Sequence, residues 1–162
     1  AGDSAGANLA LVEAMRRRDT GCGADLAGLL LFYGVYGPLR AGGSCAAYGQ
    51  GGFGLSCAAQ QRYVDAYLQG AAPDDPRVHP LAGRLGGLPP AWLLAAGLDL
   101  LLDDSVDLHH AIGATGGASQ LWVAPGVHHG FLNQAHVLGA ARSALGAAGH
   151  WARQVACAGT VP

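Results

Sequence analysis

Apolar positions recur at helical spacing through Asn8–Met15, where Leu9, Val12 and Met15 predict a helix from about Ser4 to Arg18. Asp19-Thr20-Gly21 is a turn cluster that stops it, with glycine at a plausible C-cap. Leu26–Tyr33 is a short, continuous apolar run bounded by turn residues, as expected of a parallel strand buried on both faces. From Gly34 to Ser56 the pattern dissolves into Gly, Ala and Tyr, interrupted by Pro38. Cys57–Gln69 reads as a helix with Ser56 as N-cap, Gln60, Val64, Tyr67 and Leu68 on one face, and Gly70 as its end. Two proline-punctuated loops follow, Asp74–Leu81 and Leu88-Pro89-Pro90. Ala91–Ala96 predicts a second buried strand, Leu101–Ala114 a helix, Ser119–Ala124 a third strand, and Gln134–Gln154 a last helix.

Helix, strand, insertion, strand, helix, strand, helix implies an α/β fold: a parallel sheet covered on both faces. The stretch at about 34–74 is too long for a strand-to-helix loop and is expected to be a cap-type insertion lying over the site.

Composition narrows the function classes. The 162 residues amount to one domain, 51% hydrophobic and 12% charged, with a formal net charge of −2. No basic run suggests nucleic acid, and Arg16-Arg17-Arg18 reads as a solvated helix end that suits the dipole. No uninterrupted apolar stretch is long enough to span a bilayer, and no signal peptide is visible. Cys22, Cys45, Cys57 and Cys157 lack CxxC spacing and imply neither zinc nor a disulfide framework. The expectation is a reduced, cytoplasmic protein.

The chemistry is concentrated at three strand ends. Gly2-Asp3-Ser4-Ala5-Gly6 is a Gly-x-Ser-x-Gly elbow, a tight strand-to-helix turn that lifts a serine hydroxyl out of a sheet. A Cβ at Gly2 or at Gly6 is expected to collide with its neighbours, and Ser4 would sit at a helix N-terminus where negative charge is favoured. Asp99 follows the second strand and His129 the third, giving the order Ser, Asp, His. A serine hydroxyl is too weak an acid to attack an ester unaided, so a histidine must take its proton. A carboxylate fixes the imidazole tautomer, and the backbone N–H of Ala5 offers one oxyanion donor. Asp99 alone could be a helix N-cap. Asp103, Asp104 and Asp107 read as a solvated helix face; His79, His109, His110, His136 and His150 as surface or loop residues. The adjacent His128 competes with His129 on residue type.

Together with Asn8-Leu9-Ala10, Asp75-Pro76-Arg77 leading to Pro80-Leu81, Leu88-Pro89-Pro90-Ala91, Ala96-Gly97-Leu98-Asp99 and His129-Gly130-Phe131, the elbow resembles the hormone-sensitive-lipase-like family of α/β-hydrolases. The resemblance implies that Ser4 is nucleophile, Asp99 acid and His129, rather than His128, base. It also implies hydrolysis of short- to medium-chain carboxylic esters through an acyl-enzyme intermediate, with no cofactor and no metal. The partner is then a small-molecule ester; from charge and apolar pattern, neither nucleic acid nor a membrane span is expected.

The chain departs from the family at Ala7, where a second glycine is usual, at Asp99-Leu100-Leu101 for Asp-Pro-Leu, and at Asp103-Asp104-Ser105 for Asp-Glu-Gly. The family's His-Gly-Gly-Gly oxyanion loop lies upstream of the elbow, and only three residues precede Ser4. The expectation is therefore the C-terminal half of a longer α/β-hydrolase domain. The alternatives are a receptor-like, non-catalytic relative that binds a small molecule, or an inactive fragment.

Overall fold

The computed structural model describes residues 1–158 apart from 71 and 73, so parts of the expected 34–74 insertion and 1–162 domain lie outside it. Four parallel strands form one sheet in the order β1 (Gly2–Asp3), β2 (Leu29–Phe32), β3 (Ala91–Leu98) and β4 (Ser119–His128). Helix α1 (Ala5–Asp19) crosses from β1 to β2, and α4 (Leu102–Ala114) from β3 to β4. Between β2 and β3 lie α2 (Gly43–Tyr48) and α3 (Cys57–Leu68); α5 (Gly139–Ala158) follows β4. The chain is thus a parallel α/β sheet with the crossovers such strands require.

Two apolar layers enclose the sheet. On one face Ala7, Leu11, Ala14 and Met15 of α1 join Leu31, Leu93, Leu108 and Ile112. On the other, Ala141, Ala144, Ala148 and Trp151 of α5 pack on Trp92, Leu94 and Ala124. The continuous apolar runs of β2 and β3 are what burial on both faces requires. In α1 the buried stripe runs through Ala7, Asn8, Leu11, Ala14 and Met15, whereas Leu9 is 52% exposed. The stripe is therefore rotated from the expected Leu9, Val12 and Met15: of these only Met15 is buried, and Ala7, Leu11 and Ala14 join it against the sheet.

β4 runs four residues beyond its expected end, through Pro125 and Gly126. It is an edge strand, and its register with β3 shifts between Ala96 and Leu98, where a proline is tolerated. Gly97 is required at that irregularity: a Cβ there would meet the Ala124 carbonyl at 2.9 Å. α5 begins at Gly139 rather than Gln134, because Phe131–Gln134 forms a separate 3₁₀ turn. Within the loose stretch, α2 is a helix that composition gave no reason to expect. It is held by Ser44, whose Oγ donates to the Leu100 carbonyl at 2.7 Å, and whose N–H donates to Asp103 at 2.8 Å.

Four other expectations are corrected. Cys45 and Cys57 are joined by a disulfide between α2 and the start of α3, against the reading of four reduced cysteines; Cys22 and Cys157 lie outside it. Asp104 is buried, not solvated, because β2's trailing loop presents backbone N–H groups to it. His79 is buried as well, and burial pushes its pKa down. Arg18 leaves the solvated triplet to donate to the carbonyls of Arg84 and Gly86.

Candidate active site

Ser4 stands between β1 and α1 with φ 51° and ψ −121°, a strained conformation that aims its side chain away from the sheet. Its N–H donates to the Phe32 carbonyl at 2.9 Å, anchoring the turn to β2. Steric need at the elbow is one-sided. A Cβ on Gly2 would sit 2.1 Å from the Gly6 carbonyl oxygen, while a Cβ on Gly6 would meet nothing nearer than an Asp3 oxygen at 3.9 Å. The expected collision at Gly6 is therefore absent.

The Ser4 hydroxyl donates to His129 Nε2 at 2.9 Å. On the other side of the ring, His129 Nδ1–H donates to Asp99 Oδ2 at 2.6 Å. Asp99 Oδ1 accepts the Leu101 N–H at 3.0 Å, so the carboxylate starts α4's approach and faces the histidine at once. Asp99 is 1% exposed, and a buried carboxylate of this kind needs both partners. His128 does not compete: its Nδ1–H donates to the His129 carbonyl at 2.7 Å, and its ring lies against Gly54. Of the candidates, the structure brings Ser4, Asp99 and His129 into one hydrogen-bonded chain. It leaves Asp103, Asp104 and Asp107 on the far side of the Asp99 turn, toward Ser44, Tyr36 and Arg40.

Ala5 opens α1, where a backbone N–H has no acceptor within the helix, and it lines the same cavity as Ser4. This cavity has a volume of about 590 Å³, and its walls include Leu9, Leu55, Tyr63, Val64, Tyr67 and His129. Among the described residues, no Asp, Glu, Lys or Arg lines it. Asn8 borders it with its amide committed, donating to the Val35 and Val78 carbonyls at 2.8 Å each. That asparagine ties α1 to the loops on both sides of α3. Among the described residues no cluster of His, Cys, Asp or Glu could hold a metal ion, and no helix is long and apolar enough to cross a membrane.

Residues 1–133 match the family described as the alpha/beta hydrolase fold. The chain belongs to the α/β-hydrolases, in their hormone-sensitive-lipase-like branch. Solved structures similar to this α/β-hydrolase chain include a thermostable esterase from Pseudomonas putida, 27% identical, with a TM-score of 0.85 over 91% of this chain and 48% of that one. A fungal esterase from Rhizomucor miehei is 25% identical, with a TM-score of 0.87 over 96% and 51%. The esterase of Pyrobaculum calidifontis is 26% identical, with a TM-score of 0.80 over 99% and 52%. The α/β-hydrolase chain spans about half the length of these esterases.

What sequence reasoning missed is the shell around the three residues. Tyr33 packs on the His129 ring, and Gly54 and His128 close the turn behind it. Tyr33 ends an apolar run, where an aromatic residue reads as ordinary core; only the distant ring of His129 gives it another meaning.

Proposed function

We propose that this chain carries the catalytic half of a serine carboxylesterase that cleaves short- to medium-chain esters. The observation that carries the reading is the unbroken relay from Ser4 Oγ–H to His129 Nε2, and from Nδ1–H to Asp99 Oδ2. In this reading His129 removes the Ser4 proton as Oγ attacks the ester carbonyl. Asp99 holds the Nδ1–H tautomer and stabilises the imidazolium. The Ala5 N–H receives the oxyanion, joined by donors of a glycine-rich loop from the preceding part of the domain. The imidazolium then returns its proton to the leaving alcohol, freeing it and leaving an acyl-Ser4 ester. Water, deprotonated by His129, hydrolyses that ester and regenerates the serine.

The insertion at about 34–74 acts as a partial cap, since α3 contributes Tyr63, Val64 and Tyr67 to the cavity above Ser4. A wall without charge favours neutral acyl or alcohol groups. A cytoplasmic location belongs to the same proposal, and the Cys45–Cys57 disulfide is then one that persists against a reducing cytosol.

The test is covalent labelling of the intact protein by a fluorophosphonate, followed by peptide mapping. Modification at Ser4, lost in Ser4→Ala, is expected. A protein that binds esters without labelling at Ser4 is a receptor-like relative, and the catalytic reading falls.

A further inference from the structure

We propose that Tyr33 is a positioning residue that locks the His129 turn to the Ser4 elbow; the proposal rests on the esterase reading above. Four contacts of one side chain converge on this role. The Tyr33 ring meets the His129 ring edge-on, with centroids 5.1 Å apart and planes at 64°. It also packs on Phe131, at 5.8 Å and 56°. Its hydroxyl donates to Asp3 Oδ2 at 3.5 Å and sits near enough to the Leu132 backbone to feel it electrostatically. One residue thereby reaches the neighbour of Ser4 and three of the four residues from His129 to Leu132.

The backbone points the same way. Tyr33 has φ 37°, a conformation that a non-glycine residue adopts only when its surroundings over-determine it. Ser4 has φ 51°, and the two follow the registered pair Asp3 and Phe32 at the ends of β1 and β2. The N–H groups on this step are fixed across the sheet: Ser4 N–H donates to Phe32, and Tyr33 N–H to Leu94. At 1% exposure the ring cannot be turning toward solvent. A strained pair at neighbouring strand ends therefore sets the serine on one side and, through the tyrosine ring, the imidazole on the other. The tyrosine itself touches no reacting atom; it acts through His129.

The test uses the intact protein with p-nitrophenyl butyrate, comparing Tyr33→Leu, Tyr33→Met and Tyr33→Phe, each checked by thermal unfolding. Losing the ring should lower kcat on the order of tenfold with KM within about twofold, since orientation rather than binding is lost. Tyr33→Phe, which keeps the ring, should restore most of it. The second readout needs no turnover: the low-field proton NMR signal of His129 Nδ1–H, assigned by its loss in His129→Gln. It should stay sharp in Tyr33→Phe and broaden in the ring-less variants. Should Tyr33→Leu fail to fold, the flexible methionine of Tyr33→Met refills the space and takes its place.

Unchanged kcat and an unchanged proton signal in a folded ring-less variant would overturn the proposal, as would a loss confined to KM. If the intact protein hydrolyses no ester, the esterase reading falls, and the proton signal alone then decides the role of Tyr33.

Discussion

The carboxylate of Asp104 accepts the backbone N–H of Tyr36 at 2.6 Å, across a sequence separation of 68 residues. The same oxygen accepts the Gly37 N–H at 2.9 Å. Asp104 thus pins the loop after β2 to the first turn of α4, just beyond Asp99.

Burial raises the Asp104 pKa from 3.8 to about 6, against the lowering effect of those two N–H groups and of Arg40. The folded state therefore holds this proton more tightly than the unfolded chain does. Stability from this group is fully present below about pH 4 and is lost as pH rises through about 6. Asp104→Asn keeps an acceptor oxygen and removes the charge. It should stabilise the fold above pH 6 by up to about 3 kcal/mol, and by progressively less toward pH 4. Denaturant unfolding of both proteins at pH 4.5 and 7.5 measures the difference, and a gap that does not change with pH would refute the assignment.

Asp99→Asn should preserve the fold, because an amide oxygen can still face His129 Nδ1–H or the Leu101 N–H. The flipped amide, however, favours the wrong imidazole tautomer. A fall in kcat on the order of 10⁴ is expected for ester hydrolysis, with KM little changed. Steady-state kinetics on a p-nitrophenyl ester checks this, and a loss of less than tenfold would remove Asp99 from the relay.

The elbow makes a sharper steric prediction. Gly2→Ala drives a methyl group into the Gly6 carbonyl and should unfold the turn or abolish labelling of Ser4. Gly6→Ala has room, and its helical backbone suits alanine, so it should fold with stability unchanged or raised by up to about 1 kcal/mol. Thermal melts and fluorophosphonate labelling of the two variants compare them directly; equal damage from both would contradict the geometry.

The Cys45–Cys57 disulfide closes a loop with a sequence separation of 12, between α2 and the first residue of α3. Thiol counting on the unfolded protein should give two thiols before reduction and four after. Cys45→Ser with Cys57→Ser should cost about 3 kcal/mol of stability under oxidising conditions and nothing under reducing ones. A count of four without reductant rules the bond out.

Asp99 and His129 were legible because each follows a predicted strand, and strand ends of a parallel sheet collect reactive groups; Ser4 was legible from the Gly-x-Ser-x-Gly motif around it. Ser56 as the cap of α3 was legible too, since its hydroxyl accepts the Ala59 N–H at 3.1 Å within one turn. What could not be read depends on partners far along the chain. Asp104 looks like one more solvated acid on a helix until Tyr36 and Gly37 arrive from β2's far side. Likewise α2 has glycine at its start and gains its order from Ser44's bonds to Leu100 and Asp103. The strand β4 extends past Pro125 only because it is the sheet's edge.

Ser4 and His129 are separated by 125 residues, yet sit within one hydrogen bond. Strand pairing between them must close the long crossover from β2 to β3 before β4 can dock. Pairings so distant along a chain form slowly, whereas helices form within about a microsecond. In a refolding experiment the helical signal should thus rise first, and the capacity of Ser4 to react with a labelling reagent last. The nucleophile is a built-in clock for the completion of folding.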